Sequence, residues 1–188
     1  MTTPAMERTR ERMIRTAIEL FSEHGYEGTS IQMIATAMEL SKAAVSYHFR
    51  TKEDLLAAVA EPAFTDLRQF LDETEAEPRK AVRRRLALRG YVSLLVKHRG
   101  LLALLEQDPI AAASPVISEK MTLFAERIRH LFESDAPGNA EWVFLAVTLG
   151  GLRNAAAWFP HLSDEELNQH LLATAERIVG RTASRTSP

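Results

Sequence analysis

The residues best equipped for polar recognition lie between Thr29 and Lys52, in the stretch TSIQMIATAMELSKAAVSYHFRTK. Lys42, Ala43, Ser46 and Tyr47 would face outward from one short helix, offering an ammonium and two hydroxyls beside a small side chain. A lysine in that position can donate to guanine O6 and N7, and the small Ala43 and Ala44 permit close approach, for instance to a thymine methyl. The chemistry is therefore recognition by placed hydrogen bonds. Each residue also has a plainer reading: His48 as a hydrogen-bonded structural histidine, and Phe49 as core.

Two helices must position these groups. Ile31, Ile34, Ala35 and Met38 recur at helical spacing and form one apolar stripe. Thr29 precedes it as the expected N-cap, with Gln32 at the place a capping box requires. Ser41 is the expected cap of a second helix over Lys42–Phe49, anchored through Leu40, Val45 and Phe49. Two short helices joined by so tight a turn form a helix-turn-helix, whose second member can enter a DNA major groove.

Phe21, Gly25, Tyr26, Thr29, Ile34-Ala35, LSKAAVSYHF (Leu40–Phe49), Lys52 and Leu55-Leu56 resemble the DNA-binding domain of the tetracycline-repressor (TetR) family. The similarity covers about the first third of the chain. One position departs from the family pattern: Glu39 stands where the turn usually has glycine. Glycine suits a helix end because it enters the left-handed region without steric cost; Glu39 would either give up about 1 kcal/mol to do the same or leave the turn in another shape. By this resemblance Tyr47, His48 and Lys52 would bind phosphates, together with Thr29 and Ser30 at the start of the first of the two helices. Gln32 matches a family position that sometimes reads bases, in competition with its capping role. With Ser41, Lys42, Ala43, Ala44 and Ser46, these make up the expected DNA-binding set.

Composition alone does not point to nucleic acid. The 188 residues carry a formal charge of −2, and residues 1–60 hold seven Lys/Arg against eight Asp/Glu. Binding would have to come from placed contacts and two copies of the head, helped by helix N-termini. There are no cysteines, which excludes disulfides and thiolate chemistry and fits a reducing cytoplasm. No apolar run reaches the roughly 18 residues of a membrane span. None of the six histidines stands in H-E-x-x-H, and no P-loop, G-x-S-x-G or dinucleotide fingerprint occurs. Neither an enzyme nor a metal or cofactor is expected.

The rest of the chain reads as helices. Residues 1–8 are expected to be an arm, with a first helix from Glu7 to His24 closed by Gly25. Four arginines near its start (Arg8, Arg10, Arg12 and Arg15) read as a solvated face balanced by Glu7 and Glu11, the alternative being that one or two of them reach the phosphate backbone. Thr51-Lys52-Glu53-Asp54 resembles a capping box opening a fourth helix, which Pro62 should kink or break. Residues 79–98 carry the stripe Leu88, Tyr91, Val92, Leu95 and Val96. A short helix ends at Asp108-Pro109, and another begins at Pro115. Ala136-Pro137-Gly138 is an expected turn, and Ser163–Glu166 is a capping box for the last helix. The tail 181–188 is polar.

The expected fold is all-α, with a helix-turn-helix head at 1–54 and a larger helical ligand-binding and dimerisation domain at 55–188, joined by a shared helix. The last two helices, 139–180, are apolar over more than one face and read as a homodimer interface forming a four-helix bundle. A two-fold dimer would read an inverted repeat of double-stranded DNA. The resemblance implies a small-molecule effector bound among the middle helices, and a shift of the fourth helix that respaces the heads. Tyr91, Leu95, His98, Leu105, Met121, Phe124, Ile128 and Trp158 are the expected lining, suited to an apolar or weakly charged ligand. The favoured function is a ligand-responsive repressor. The alternatives are an activator, or a helical interaction module without DNA binding.

Overall fold

A computed structural model describes residues 4–132 and 138–183. The expected Ala136-Pro137 turn, the last five residues of the tail and the first three of the arm lie outside the described residues. Among the described residues ten helices follow in order: α1 (Pro4–Gly28), α2 (Ile31–Ala37), α3 (Lys42–His48), α4 (Lys52–Glu75), α5 (Lys80–Lys97), α6 (Arg99–Gln107), α7 (Pro109–Ala113), α8 (Pro115–Phe132), α9 (Asn139–Trp158) and α10 (Asp164–Ala183). Among the described residues there is no strand, and the fold is all-α.

The described residues divide into two compact units. The first comprises Met1–Phe64 with Leu104–Met121, the second Thr65–Ala103 with Thr122–Pro188. The first takes in the expected head and, beyond residue 54, the first half of α4, the end of α6, all of α7 and the start of α8.

In the first unit α1 begins at Pro4, earlier than the expected Glu7, with proline in the first turn where its missing N–H is no loss. Gly25 takes φ 74°, so the regular helix stops there and residues 26–28 add one further turn. Met13, Ala17 and Phe21 of α1 are buried with Ile34 and Ala35 of α2, Val45 of α3 and Leu55 and Leu56 of α4. The α2–α3 turn is a Schellman closure: Leu40 N–H donates to Ala35 O at 2.8 Å and Glu39 N–H to Thr36 O at 3.1 Å. Glu39 sits at its left-handed position with φ 56°. Glu39→Gly should therefore stabilise the head by about 1 kcal/mol, seen as a higher urea midpoint. A lower midpoint would show that the glutamate side chain more than offsets the strain.

Thr51 and Asp54 form the expected reciprocal capping box of α4, each backbone N–H reaching the other's side chain at 3.0 Å. Pro62 does not end α4, which continues to Glu75. The proline is exposed, and the buried Leu55, Leu56, Val59, Phe64 and Leu71 hold the helix in spite of the lost hydrogen bond.

In the second unit α5, α9 and α10 pack on one another. Leu88, Tyr91, Val92, Leu95 and Val96 are buried along α5 as their spacing predicts. Gly90 allows the closest approach: a Cβ there would lie 2.3 Å from the Phe70 ring. Ser163 and Glu166 cap α10, Ser163 N–H donating to Glu166 Oε2 at 3.0 Å and Glu166 N–H to Ser163 Oγ at 3.2 Å. No described helix is long and apolar enough to cross a membrane.

Candidate nucleic-acid interface

The recognition surface starts from the two caps. Ser41 Oγ accepts from Ala44 N–H at 3.1 Å and starts α3. Val45 and Phe49 are buried beneath the helix, which leaves Lys42, Ala43 and Tyr47 exposed, Tyr47 to 74%, with Ser46 and His48 half-buried beside them. The Tyr47 and His48 rings meet edge to face at 5.4 Å, which orders both aromatic groups at the helix end. The Arg10 guanidinium lies 5.0 Å over the ring of Phe49, bringing a cation from α1 to the end of α3. That contact joins positions far apart in sequence, and no local pattern announces it.

Two of the expected site residues are engaged inside the head. The N-cap of α2 is Ser30, whose side chain accepts from Met33 N–H at 3.2 Å, in place of the expected Thr29. Gln32 is consequently one position too early to close a capping box, and it pairs with Thr36 on the exposed face of α2. Thr29 is only 2% exposed, and its hydroxyl donates to Gly25 O at 2.8 Å and Leu20 O at 3.0 Å. It ties off the end of α1.

Lys52 also turns inward. Its ammonium donates to Tyr26 O at 2.6 Å and Glu27 O at 3.3 Å, and lies 4.3 Å over the Tyr26 ring. A cation at the carbonyl end of α1 is well placed against the helix dipole. Asp108, the cap of α7, completes the arrangement: Oδ1 accepts from Ile110 N–H at 3.1 Å and Ala111 N–H at 2.9 Å, and Oδ2 accepts from Tyr26 N–H. Burial pushes the Asp108 carboxyl up, but the N–H groups of Ala111, Tyr26 and Ile110, with the Lys52 charge, outweigh it and hold its pKa below the usual value. Burial, followed by the carboxylates of Glu53, Glu27 and Asp108, raises the Tyr26 phenol.

The expected effector residues are distributed over both units. Leu105 and Met121 belong to the first unit; Tyr91, Leu95, His98, Phe124, Ile128 and Trp158 belong to the second. Tyr91, Leu95 and Phe124 are buried and Ile128 half-buried. The Tyr91 hydroxyl donates to Leu149 O at 3.3 Å, and burial pushes its pKa up to about 12. His98 pairs with Asp66 at 2.7 Å. Trp158 is 65% exposed on the surface of α9. The second unit holds an apolar groove of about 580 Å³ between α9 and α10, lined by Phe144, Val147, Leu152, Leu167 and Leu171 among others and by none of these expected residues. Val143 and Val147 stand exposed on the same helix. Among the described residues no group of histidines and carboxylates is arranged to hold a metal ion.

A three-helix head with two serine-capped helices, a left-handed turn between them and an exposed polar face on the second is a helix-turn-helix DNA-binding module. A family model described as "Bacterial regulatory proteins, tetR family" matches residues 13–59, the span that holds α2 and α3. The tetracycline repressor protein class C of Escherichia coli is 29% identical over 140 residues, covering 74% of this chain and 61% of that relative. The chain thus spans about three-fifths of that repressor's length. Among solved structures, the TetR-family regulator PfmR of Thermus thermophilus superposes with a TM-score of 0.70 at 22% identity, covering 89% of this chain and 96% of that one. AibR, solved with isovaleryl coenzyme A and operator DNA, superposes with a TM-score of 0.61 at 19% identity, covering 88% and 96%. At these identities the two structures establish the fold.

Proposed function

We propose that the chain is a transcriptional repressor, not an enzyme, which binds an inverted repeat of double-stranded DNA as a homodimer in the cytoplasm and is released by a small molecule. The observation that carries this reading is the outer face of α3. Lys42, Ala43 and Tyr47 are exposed there on a helix whose opposite face is sealed into the head by Val45 and Phe49. In this reading Lys42 donates to a base edge, Ala43 and Ala44 allow the approach, and Ser46, Tyr47 and His48 meet phosphate or base edges. Ser30, Gln32 and Ser41 border the groove. Thr29 and Lys52 act from within.

The dimer is proposed through α9 and α10. Their groove is apolar, and the exposed Val143 and Val147 would be covered by a second copy, burying surface that a monomer leaves in water. An effector site is proposed in the second unit around Tyr91, Leu95, Phe124 and Ile128, for an apolar ligand met by few polar groups. AibR, solved with both a coenzyme A thioester and operator DNA, supports pairing the two ligand classes on this fold. An effector releases DNA only if it binds the unbound conformation better.

The test is selection of bound duplexes from a random pool at physiological salt, run with the native chain and Lys42→Ala. The native chain should enrich an inverted repeat. Lys42→Ala should lose about 1–3 kcal/mol of discrimination at one base position per half-site and keep its preferences elsewhere. A folded, dimeric native chain that enriches nothing would overturn DNA reading and leave an interaction module. Unchanged affinity and preference in the variant would mean that α3 is docked through another face.

A further inference from the structure

Tyr26 is gripped at both ends of its backbone by side chains from distant parts of the chain. Its N–H donates to Asp108 of α7, while its C=O accepts from Lys52 of α4 at 2.6 Å. Its ring lies against Phe21 at 5.4 Å. The flanking residues are equally constrained: Gly25 holds the turn with φ 74°, and Thr29 returns its hydroxyl to Gly25 O at 2.8 Å. Ser30 then caps α2 at once, and the Schellman turn passes directly into α3. No slack residue separates the Tyr26 corner from the recognition helix.

We propose that Asp108 is a positioning residue for DNA reading: one carboxylate caps α7 with one oxygen and, with the other, fixes the Gly25–Tyr26 corner from which α2 and α3 extend. The role rests on the DNA-binding function proposed above. It also means that a head cut at residue 64 lacks half of the grip on its own corner.

Asp108→Asn in the full chain isolates this role. Asparagine caps a helix about as well as aspartate, so its oxygen can still serve Ile110 and Ala111. Its amide NH2 would then face the Tyr26 N–H, where an acceptor stood. Amide hydrogen exchange is measured without DNA, and affinity is measured on the duplex the native chain selects. The expected result is roughly tenfold faster exchange at Tyr26 and through α2, with α5 and α10 unchanged. Operator affinity should fall by about tenfold with an unchanged salt slope, because fewer heads are competent while the phosphate contacts keep their number. Native exchange and affinity would overturn the proposal by reducing Asp108 to a cap. Uniformly faster exchange that includes α5 and α10 would overturn it too, since that is loss of global stability. Should the native chain select no duplex, DNA reading falls and Asp108 loses its role in it, and a local exchange effect at Tyr26 and α2 then shows only that Asp108 fixes the corner.

Discussion

On the proposed α9–α10 dimer, Val147→Asp should leave the protein monomeric at micromolar concentration and weaken operator binding on the order of 100-fold or more. Val147 is 69% exposed on α9 and lines the groove shared with α10, so a folded single chain accommodates the carboxylate in water. In a two-fold interface the same substitution occurs on both sides, and two unpaired carboxylates enter an apolar seam. Each head alone retains its contacts but loses the second half-site, and with it the effective concentration that makes two weak contacts one strong one. Sedimentation velocity reads the first effect and a duplex titration the second. A Val147→Asp protein that still sediments as a dimer would place the subunit contact elsewhere. Native circular dichroism is the accompanying control, since a monomer made by unfolding says nothing about the groove.

Lys52→Ala is the second large effect, and it separates two accounts of one residue. As a phosphate ligand, Lys52 would lower the salt slope by about one on removal and leave stability untouched. The geometry gives it other work: two hydrogen bonds to the carbonyls of Tyr26 and Glu27, and a cation over the Tyr26 ring. Losing these should cost the head about 2 kcal/mol, measured by denaturant unfolding, with the salt slope unchanged. Because Asp108 and Lys52 meet on the same residue, their substitutions should couple rather than add. A normal midpoint with a reduced slope would return Lys52 to the DNA surface.

What the sequence made legible is what short spacing encodes. Ser41 with Val45 and Phe49, the Thr51–Asp54 and Ser163–Glu166 boxes, and the stripe of α5 each need only a few neighbouring residues to be read. The strain at Glu39 was equally local: a non-glycine residue at a helix end, found with φ 56°. The cap of α2 lay one residue from where it was expected. Thr29 and Ser30 both carry hydroxyls, and only the carbonyls of Leu20 and Gly25 decide that Thr29 faces in. Asp108-Pro109 reads as a helix stop, yet the same pair also starts α7, because a capping carboxylate followed by proline suits a beginning as well as an end. Lys52 and Arg10 were legible as charges but not as directions. The aromatic rings that hold them lie 26 and 39 positions away in the chain, beyond any periodicity.

The hydrogen bond between Tyr26 and Asp108 spans 82 residues, and the ion pair of Glu61 with Lys120 spans 59. These separations bear on how the chain is made. A head ending near residue 64 emerges from the ribosome well before either contact can form, and at about 5–20 residues per second Asp108 follows Tyr26 by roughly 4–16 s. During that interval the nascent head carries its reading helix without the clamp, and closing so long a loop adds an entropic cost that local helix pairs do not bear. Maturation of the DNA-reading surface is thereby tied to synthesis of the middle of the chain. A fragment released early presents the helices in sequence order but not yet the fixed corner that aims them.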